Sequence, residues 1–170
     1  MINKFDLEKI GEEMYELIRE LYPINRSITG DGVRKTLKIL QKKIELKIHE
    51  VPSGTKVFDW TIPQEWNIND AYILNSKNEK IVDFQKSNLH VLQYSIPIKT
   101  RIKLDELKNH IYTLPKQPKN IPYITSFYSK NWGFCMSFEQ FQSLDPALKY
   151  HVNIQTTLEP GAMTYGEKKI

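Results

Sequence analysis

The sequence lacks three features of proteins that leave the cytoplasm or enter a membrane. It has a single cysteine, Cys135, so an internal disulfide is excluded and a reducing compartment is indicated. No stretch approaches the about eighteen uncharged apolar residues that a membrane-spanning helix needs. Residues 1–16 alternate charged and apolar side chains, which is not the pattern of a signal peptide. We therefore expect a cytoplasmic protein with no membrane partner.

Glycine and proline are sparse as well, with 7 and 9 residues spread over the 170. No low-complexity tract is visible. The 40% hydrophobic and 26% charged residues are close to the average of globular proteins. A chain of this length forms one ordinary domain, or one domain that carries a small insertion.

The excess of one charge sign is small. The formal net charge is +4, but the 24 basic residues are scattered among 20 acidic ones. The densest basic runs, Lys42-Lys43 and Lys168-Lys169, are too short for a polybasic patch. A solvated, mildly basic surface is the better interpretation, and we expect no nucleic-acid partner.

Clustered metal ligands are missing from the sequence. The four histidines are His49, His90, His110 and His151, and no two of them lie within four residues of each other. A two-metal hydrolase needs several His, Asp and Glu side chains that converge on one site. We interpret each histidine as a structural or surface residue, with two in predicted strands and His110 near the end of a predicted helix. The sequence predicts no metal site.

Other catalytic patterns are missing too. Cys135 lies in an apolar run, where a buried and unreactive thiol is a better interpretation than a nucleophile. No Gly-x-Ser-x-Gly motif is present. Residues 30–35 (GDGVRK) lack the spacing of a phosphate-binding loop and predict a helix-capping turn. The pairs Glu12-Glu13 and Asp105-Glu106 are adjacent on predicted helices, so their carboxylates point in different directions. No catalytic or cofactor-binding residue is predicted.

The first part of the chain, residues 1–55, predicts two helices and a strand. Apolar residues recur at helical spacing over residues 6–22, with Asp6 as N-cap and Pro23 as the end signal. This apolar stripe consists of Ile10, Met14, Leu17, Ile18 and Leu21. A second helix is predicted over residues 31–43, and residues 45–51 alternate in the way of a half-buried strand.

From about Lys56 the pattern changes to short, aromatic and β-rich segments. Strands are predicted over residues 57–62, 71–74, 81–84 and 89–98. Residues 75–80 (NSKNEK) predict a hairpin turn. Residues 102–112 predict a short helix, and a boundary follows between Thr113 and Ile121.

The last part of the chain returns to longer segments. Residues 121–128 and 150–157 predict strands. Ser137 and Gln140 have the spacing of a capping box and predict a helix that runs to Leu144. Another extended segment is predicted from Met163 to the last residue.

Two aromatic clusters accompany these segments. They are Trp60, Trp66, Tyr72, Phe84 and Tyr94, and then Phe127, Tyr128, Trp132, Phe134, Phe138 and Phe141. They line either the core of a small β-rich unit or a sugar- or peptide-binding surface, and we prefer core packing.

Four blocks of sequence, in order along the chain, resemble a known bacterial family. They are residues 13–34 with the run LYPINRSITGDGVR, residues 51–68 with VPSGTKVFDW and EWNI, residues 113–126 with TLP and IPYITS, and residues 131–137 (NWGFCMS). The family consists of aminopeptidase-like proteins whose members often accompany surface-polysaccharide biosynthesis genes. The resemblance covers essentially all 170 residues.

The resemblance implies a partial zinc-aminopeptidase-like α/β domain that is interrupted by a small, mostly β inserted domain. Residues 1–55 would supply the first helices and strand of the aminopeptidase-like domain, residues 56–113 the insert, and residues 114–170 the return to the aminopeptidase-like domain. In the family, the His and Asp ligands of zinc come after the position of Ile170, and a winged-helix domain follows. The resemblance therefore implies zinc only in the full-length family, and no metal or catalytic residue in this chain.

Two functions stay open at this point. The first is the N-terminal part of a zinc-dependent aminopeptidase-like protein that is linked to polysaccharide biosynthesis and is inactive by itself. The second is a non-catalytic binding or oligomerisation module that uses the aromatic-rich β insert, because an unpaired sheet edge recruits partners. The expected partner is a second copy or the missing C-terminal half.

Overall fold

A computed structural model describes residues 6–126 and 129–169, which form a mixed α/β fold with several small sheets. The helices are α1 (Leu7–Leu21), α2 (Asp31–Gln41), α3 (Leu104–Leu107) and α4 (Phe138–Gln142). The strands are β1 (Lys47–Pro52), β2 (Lys56–Val57), β3 (Trp60–Thr61), β4 (Glu65–Leu74), β5 (Lys80–Asp83), β6 (Ile98–Lys103), β7 (Ile111–Tyr112), β8 (Phe134–Cys135), β9 (Lys149–Glu159) and β10 (Ala162–Glu167). Within the described ranges, no helix combines the length and the apolarity that a membrane crossing requires.

Helix α1 confirms the prediction over residues 6–22 to within one residue at each end. The Asp6 side chain accepts a hydrogen bond from the Lys9 backbone N–H at 3.2 Å, as an N-cap residue does. The helix ends at Leu21, two residues before Pro23. None of its residues is buried. Its apolar stripe therefore lies at the surface of the described chain.

Helix α2 confirms the second predicted helix, although it ends two residues earlier than residue 43. Gly30 precedes it with a φ of 89°, which an L side chain rarely adopts. A Cβ atom there would also collide with the backbone oxygen of Trp66. The capping-turn interpretation of residues 30–35 is thus confirmed, and Gly30 marks a close approach between α2 and β4.

Strands β1 and β10 form a two-stranded antiparallel ribbon, which confirms the strands predicted over residues 45–51 and after residue 163. Pro52 lies opposite Ala162 at one end of this ribbon. The Ser53 N–H donates to the Gly161 carbonyl at 2.8 Å just beyond it. The chain therefore leaves the ribbon after Pro52 and returns to the same end of it at Ala162, 110 positions later.

The largest sheet has the order β5-β4-β9-β6, with every neighbouring pair antiparallel. Strand β9, which confirms and extends the strand predicted over residues 150–157, lies between β4 and β6. The sheet thus combines strands from residues 56–113 with a central strand from residues 114–170. One face of it packs on the hydrophobic core, whose buried members are Trp66, Ala71, Ile73, Val82, Val91, Tyr94, Leu107, Phe134, Met136, Leu144, Tyr150, Val152 and Ile154.

Two predicted strands are wrong because a residue with positive φ turns the chain. Residues 57–62 form a hairpin of β2 and β3 rather than one strand, since Phe58 has a φ of 56° at its tip. Residues 89–98 form a 3₁₀ turn at Asn88–His90 and isolated bridges. Tyr94 lies among these bridges with a φ of 65°.

Two further predicted elements are shorter in the structure than the sequence pattern indicated. The helix predicted over residues 102–112 is confined to Leu104–Leu107 and a 3₁₀ turn at Lys108–His110, since Ile102 pairs with Tyr150 at the end of β6. The strand predicted over residues 121–128 is a single bridge between Gln93 and Thr125 in its described part. Residues 127 and 128 lie outside the described residues.

Two short-range predictions are confirmed by their side-chain contacts. In the turn over residues 75–80, the Asn75 Oδ1 atom accepts hydrogen bonds from the N–H groups of Lys77 and Glu79. Ser137 caps α4 by accepting from the Gln140 N–H at 3.1 Å. The reciprocal half of the capping box is not formed, because the Gln140 side chain donates to the Ile81 carbonyl instead.

Candidate functional site

The four histidines lie apart, and each has a local partner or position that explains it. The His90 Nδ1 atom donates to the Cys135 carbonyl at 2.8 Å, and the His110 Nδ1 atom donates to the Trp132 carbonyl at 2.9 Å. The His49 Nε2 atom lies 3.0 Å from the Glu167 Oε2 atom. His151 lies on β9 opposite Arg101. In residues 6–126 and 129–169, no three His, Cys, Asp or Glu side chains come together as metal ligands would. The donor set in the described chain therefore does not fit a zinc ion.

The environment of the single thiol disfavours its reactive, deprotonated form. Cys135 is fully buried in β8. Burial raises its pKa to about 12, because an apolar environment disfavours the thiolate. The thiolate is the reactive form of cysteine, so this residue is a core residue rather than a nucleophile. The burial predicted from its apolar neighbours is confirmed.

The aromatic clusters contribute mainly to the core. Trp66, Tyr94 and Phe134 are buried members of it, and Phe84, Trp132 and Phe141 pack against it. Phe127 and Tyr128 lie outside the described residues. Core packing, the preferred interpretation, is therefore confirmed for these six residues.

A dense polar junction joins the loop before α2 to the start of β4. The Thr29 hydroxyl accepts a hydrogen bond from the Trp66 N–H at 3.0 Å and lies 2.6 Å from the Tyr94 hydroxyl. The Asn67 Oδ1 atom accepts from the Asp31 N–H at 2.8 Å, so a side chain of β4 satisfies the first turn of α2. Burial raises the pKa of Tyr94, which keeps its hydroxyl protonated.

Arg34 is the centre of charge in this junction. Its Nη1 and Nη2 atoms donate to the two oxygens of Glu65 at 2.7 and 2.6 Å, and its Nε atom donates to Glu50 at 2.8 Å. Glu65 also accepts from the Ala162 N–H at 3.1 Å. The hydrogen bonds from Arg34 are the main cause that lowers the pKa of Glu65 to about 2. One carboxylate thus ties together α2, β4 and the start of β10.

The sequence interpretation missed this ion-pair network. One signal was available, because Arg34 falls next to Val33 and three residues before Leu37, on the side of α2 that carries apolar residues. A charge in such a position needs a partner. Sequence patterns could not select Glu50 and Glu65 among 20 acidic residues, because strands β1 and β4, 16 and 31 residues away, bring them to Arg34.

A cleft of about 280 Å³ opens beside the junction, between the loop before α2 and β4. Its lining includes the side chains of Asn25, Ser27, Lys35 and Asn67, with Phe84 on the apolar side. Amide, hydroxyl and ammonium groups can hydrogen-bond a small polar ligand. The cleft lies within the block LYPINRSITGDGVR and its contact with β4, so the most distinctive sequence run of the chain surrounds it.

Comparison with known proteins identifies relatives that are much longer. A protein from Clostridium acetobutylicum named "Putative polysaccharide biosynthesis protein with aminopeptidase-like domain" is 54% identical over 168 residues. This match covers 98% of the chain but only 38% of that protein. A crystal structure of a "putative peptidase" from the same organism, also 54% identical, superposes with a TM-score of 0.88 over 93% of this chain and 37% of the other.

These matches confirm the resemblance to an aminopeptidase-like family that was inferred from four sequence blocks. The fold of the chain accordingly matches part of a peptidase-like structure. Residues 65–157 match a domain of unknown function, DUF2172, and this stretch runs from β4 through most of β9. Because the match takes in more than half of the 170 residues, the chain belongs to the DUF2172 family.

Proposed function

We propose that this chain is the framework portion of a zinc-dependent, aminopeptidase-like protein that serves polysaccharide biosynthesis. In this proposal, α1, α2 and the β1–β10 ribbon belong to the aminopeptidase-like domain. Zinc would be held by residues in the part of the longer relatives that the chain does not span, since the described donors do not converge. The chain alone is then inactive as a peptidase.

The observation that carries the proposal is the exposed apolar stripe of α1. Ile10, Met14 and Ile18 of this stripe are 37%, 59% and 58% exposed. A helix with one apolar stripe normally buries it against another element. Ile44, which lies three residues beyond the end of α2, is also exposed. A surface of this kind supports packing against further polypeptide, and the relative is long enough to provide it.

The ribbon of β1 and β10 supports an inserted unit that is larger than residues 56–113. The chain leaves the ribbon after Pro52 and returns at Ala162, so everything between these residues forms an excursion from it. The excursion contains the complete sheet of β5, β4, β9 and β6. We therefore propose that the insert comprises residues 53–161 and is flanked on both sides by the aminopeptidase-like domain.

Metal analysis and a peptidase assay test the proposal together. We expect residues 1–170, purified without chelators, to contain no stoichiometric zinc by plasma mass spectrometry and to release no product from aminoacyl nitroanilides. The full-length relative from Clostridium acetobutylicum, treated identically, serves as the matched sample and should retain zinc. One tightly bound zinc ion in residues 1–170, or a metal-free full-length relative, would refute the proposal.

A second candidate function, a non-catalytic association module, has one specific observation in its favour. Phe58 is fully exposed at the tip of the β2–β3 hairpin and has the positive φ that bulky residues avoid. Such an aromatic tip is suited to insertion into a partner, for which a second copy is the simplest choice. Sedimentation distinguishes the candidates: a dimer that Phe58→Ser dissociates supports the module, whereas a monomer at high concentration removes it.

A further inference from the structure

We propose that the outer face of the four-stranded sheet binds an acidic polysaccharide, a polymer whose negative charges are carboxylates. This face is the one turned away from the hydrophobic core. On β6 the residues Ile98, Thr100 and Ile102 are partly buried, whereas Lys99, Arg101 and Lys103 alternate with them and are exposed. The proposal does not depend on zinc or on peptidase activity.

The pairing of β6 with β9 brings further basic side chains next to Lys99, Arg101 and Lys103. Lys103 lies directly opposite Lys149 on β9, Arg101 lies opposite His151, and Lys99 lies opposite Asn153. Within the described part of the chain, Lys99, Arg101, Lys103 and Lys149 have no carboxylate partner.

Two acidic side chains on this face, Asp70 and Asp83, share a single cation, Lys80. Lys80 lies 3.1 Å from Asp83 and 3.9 Å from Asp70, and both carboxylates are on strands β4 and β5. Strand β6 and the segment of β9 that pairs with it, residues 149–154, contain no acidic residue, so the β6–β9 side of the face keeps its positive charge. A strand pair with like charges directly opposite each other is destabilising, so the folded protein loses stability at Lys103 and Lys149. A bound polyanion would remove that repulsion.

A buried donor without a partner lies at the centre of the face. Asn153 is 3% exposed, and its Nδ2 atom makes no hydrogen bond within the described residues. In the register it stands between Tyr72 on β4 and Lys99 on β6. A buried amide that lacks an acceptor costs free energy. A carboxylate or hydroxyl oxygen of a ligand beside Lys99 would supply that acceptor once the side chains that cover the Asn153 amide move aside on binding.

The geometry favours an extended polymer over a single small anion. Alternate residues of a strand are about 6.7 Å apart, so Lys99 and Lys103 are separated by about 13 Å along β6. One small anion cannot contact both ends of such a row. A chain of sugar units that lies along β6 can place successive carboxylates over Lys99, Arg101 and Lys103.

Nucleic acid and membrane fit this face less well. Sheets that bind single-stranded nucleic acid present several aromatic rings on which bases stack. Here the aromatic residue of the described face is Tyr72, and the Lys80 ammonium already lies 4.9 Å from its ring centroid. A membrane-binding face combines cations with exposed apolar anchors, whereas Leu74 on this face is partly buried.

Binding to fluorescently labelled oligogalacturonate, followed by anisotropy, tests the proposal on the full chain. We expect saturable binding that weakens with added sodium chloride, because screening reduces contacts between exposed charges. The double variant Lys99→Gln/Arg101→Gln should weaken binding by about tenfold or more. The matched control, Lys42→Gln/Lys43→Gln, removes the same charge outside the sheet and should change binding by less than about twofold. Equal losses in both variants would overturn the proposal.

Competing ligands and one stability measurement complete the test. Oligothymidylate and phosphatidylglycerol vesicles should compete less well than unlabelled oligogalacturonate, and neutral dextran should not compete. Stronger competition by the nucleic acid or the vesicles would overturn the assignment to polysaccharide. Lys103→Gln should weaken binding and raise the midpoint of thermal unfolding, because it removes the repulsion from Lys149. A lowered midpoint with unchanged binding would contradict the proposal.

Discussion

Glu65 is the residue whose charge matters most for the fold. Its carboxylate receives both Nη atoms of Arg34 and the Ala162 N–H. We expect Glu65→Gln to lower the free energy of unfolding by about 2 kcal/mol, since a hydrogen-bonded charge pair is broken and Arg34 keeps only the more exposed carboxylates of Glu50 and Asp31. Glu50→Gln is the matched control and should cost about 0.5 kcal/mol, because Glu50 is half exposed. Urea unfolding measures both, and equal losses would contradict the central place of Glu65.

The same carboxylate gives the stability a defined pH dependence. The pKa of Glu65 is lowered from 4.5 to about 2 in the folded protein. A carboxyl group with a lowered folded pKa stabilises the protein above its unfolded pKa. This contribution is lost as pH falls from about 4.5 to about 2. The difference in unfolding free energy between wild type and Glu65→Gln should therefore shrink over that window.

Phe58 illustrates backbone strain at a single residue. Its φ of 56° lies in the left-handed region, where a bulky side chain is unfavourable. Asparagine tolerates this region, so Phe58→Asn should raise the free energy of unfolding by about 0.5–1 kcal/mol. Phe58→Ala keeps a Cβ and serves as the control, with a change near zero. Thermal unfolding of the wild type, Phe58→Asn and Phe58→Ala tests this prediction. A destabilised Phe58→Asn variant would mean that the phenyl ring packs against other residues in solution.

At the scale of elements, helices with local signals were predictable and strands with distant partners were less so. Asp6, Pro23 and Ser137 define helix ends through neighbouring residues, so their helices were located to within a few positions. The strand predicted over residues 89–98 failed because Tyr94 turns the backbone to stack on Trp66, which is 28 residues away. No sequence-local pattern contains that contact.

The candidate site shows the same limit. The quiet thiol of Cys135 followed from its apolar neighbours and was predictable. The contacts of Arg34 with Glu65, and of Asn67 with α2, required knowledge of which strand approaches the helix. The grouping of Lys99, Arg101 and Lys103 with Lys149 is not visible in the order of basic and acidic residues along the sequence. Alternation on β6 and pairing with β9 collect the charges on one face.

Helix α1 leads to a prediction about an entire element. Because Met14 and Ile18 are exposed in this chain, Met14→Lys/Ile18→Lys should change the free energy of unfolding by less than about 0.5 kcal/mol. Ile39→Lys on α2 is the comparison variant and should cost about 3 kcal/mol or more, because Ile39 is buried. Circular dichroism with urea measures both. A large loss in the α1 variant would show that its stripe is covered within residues 1–170.

At the scale of the whole molecule, the β1–β10 ribbon and the segment between its two strands have separate sets of buried residues. Every buried member of the core lies between residues 66 and 154, inside the excursion that starts after Pro52 and ends before Ala162. Helix α2 and the ribbon contribute buried residues of their own, such as Thr36, Ile39 and Ala162. A core confined to one continuous stretch is the property of a unit that can fold by itself.

Residues 53–161 should therefore fold as an isolated polypeptide with a cooperative thermal transition. Residues 56–113 alone should not, because β4 and β6 each pair with β9 and have no other common partner in the sheet. The isolated unit loses the contacts of Thr29 and Arg34, so its midpoint should lie below that of residues 1–170. Circular dichroism and proton–nitrogen NMR spectra of the three polypeptides compare these outcomes directly. Dispersed amide signals from residues 56–113 would restore the smaller insert, whereas a non-cooperative transition for residues 53–161 would mean that α2 and the ribbon are integral to its core.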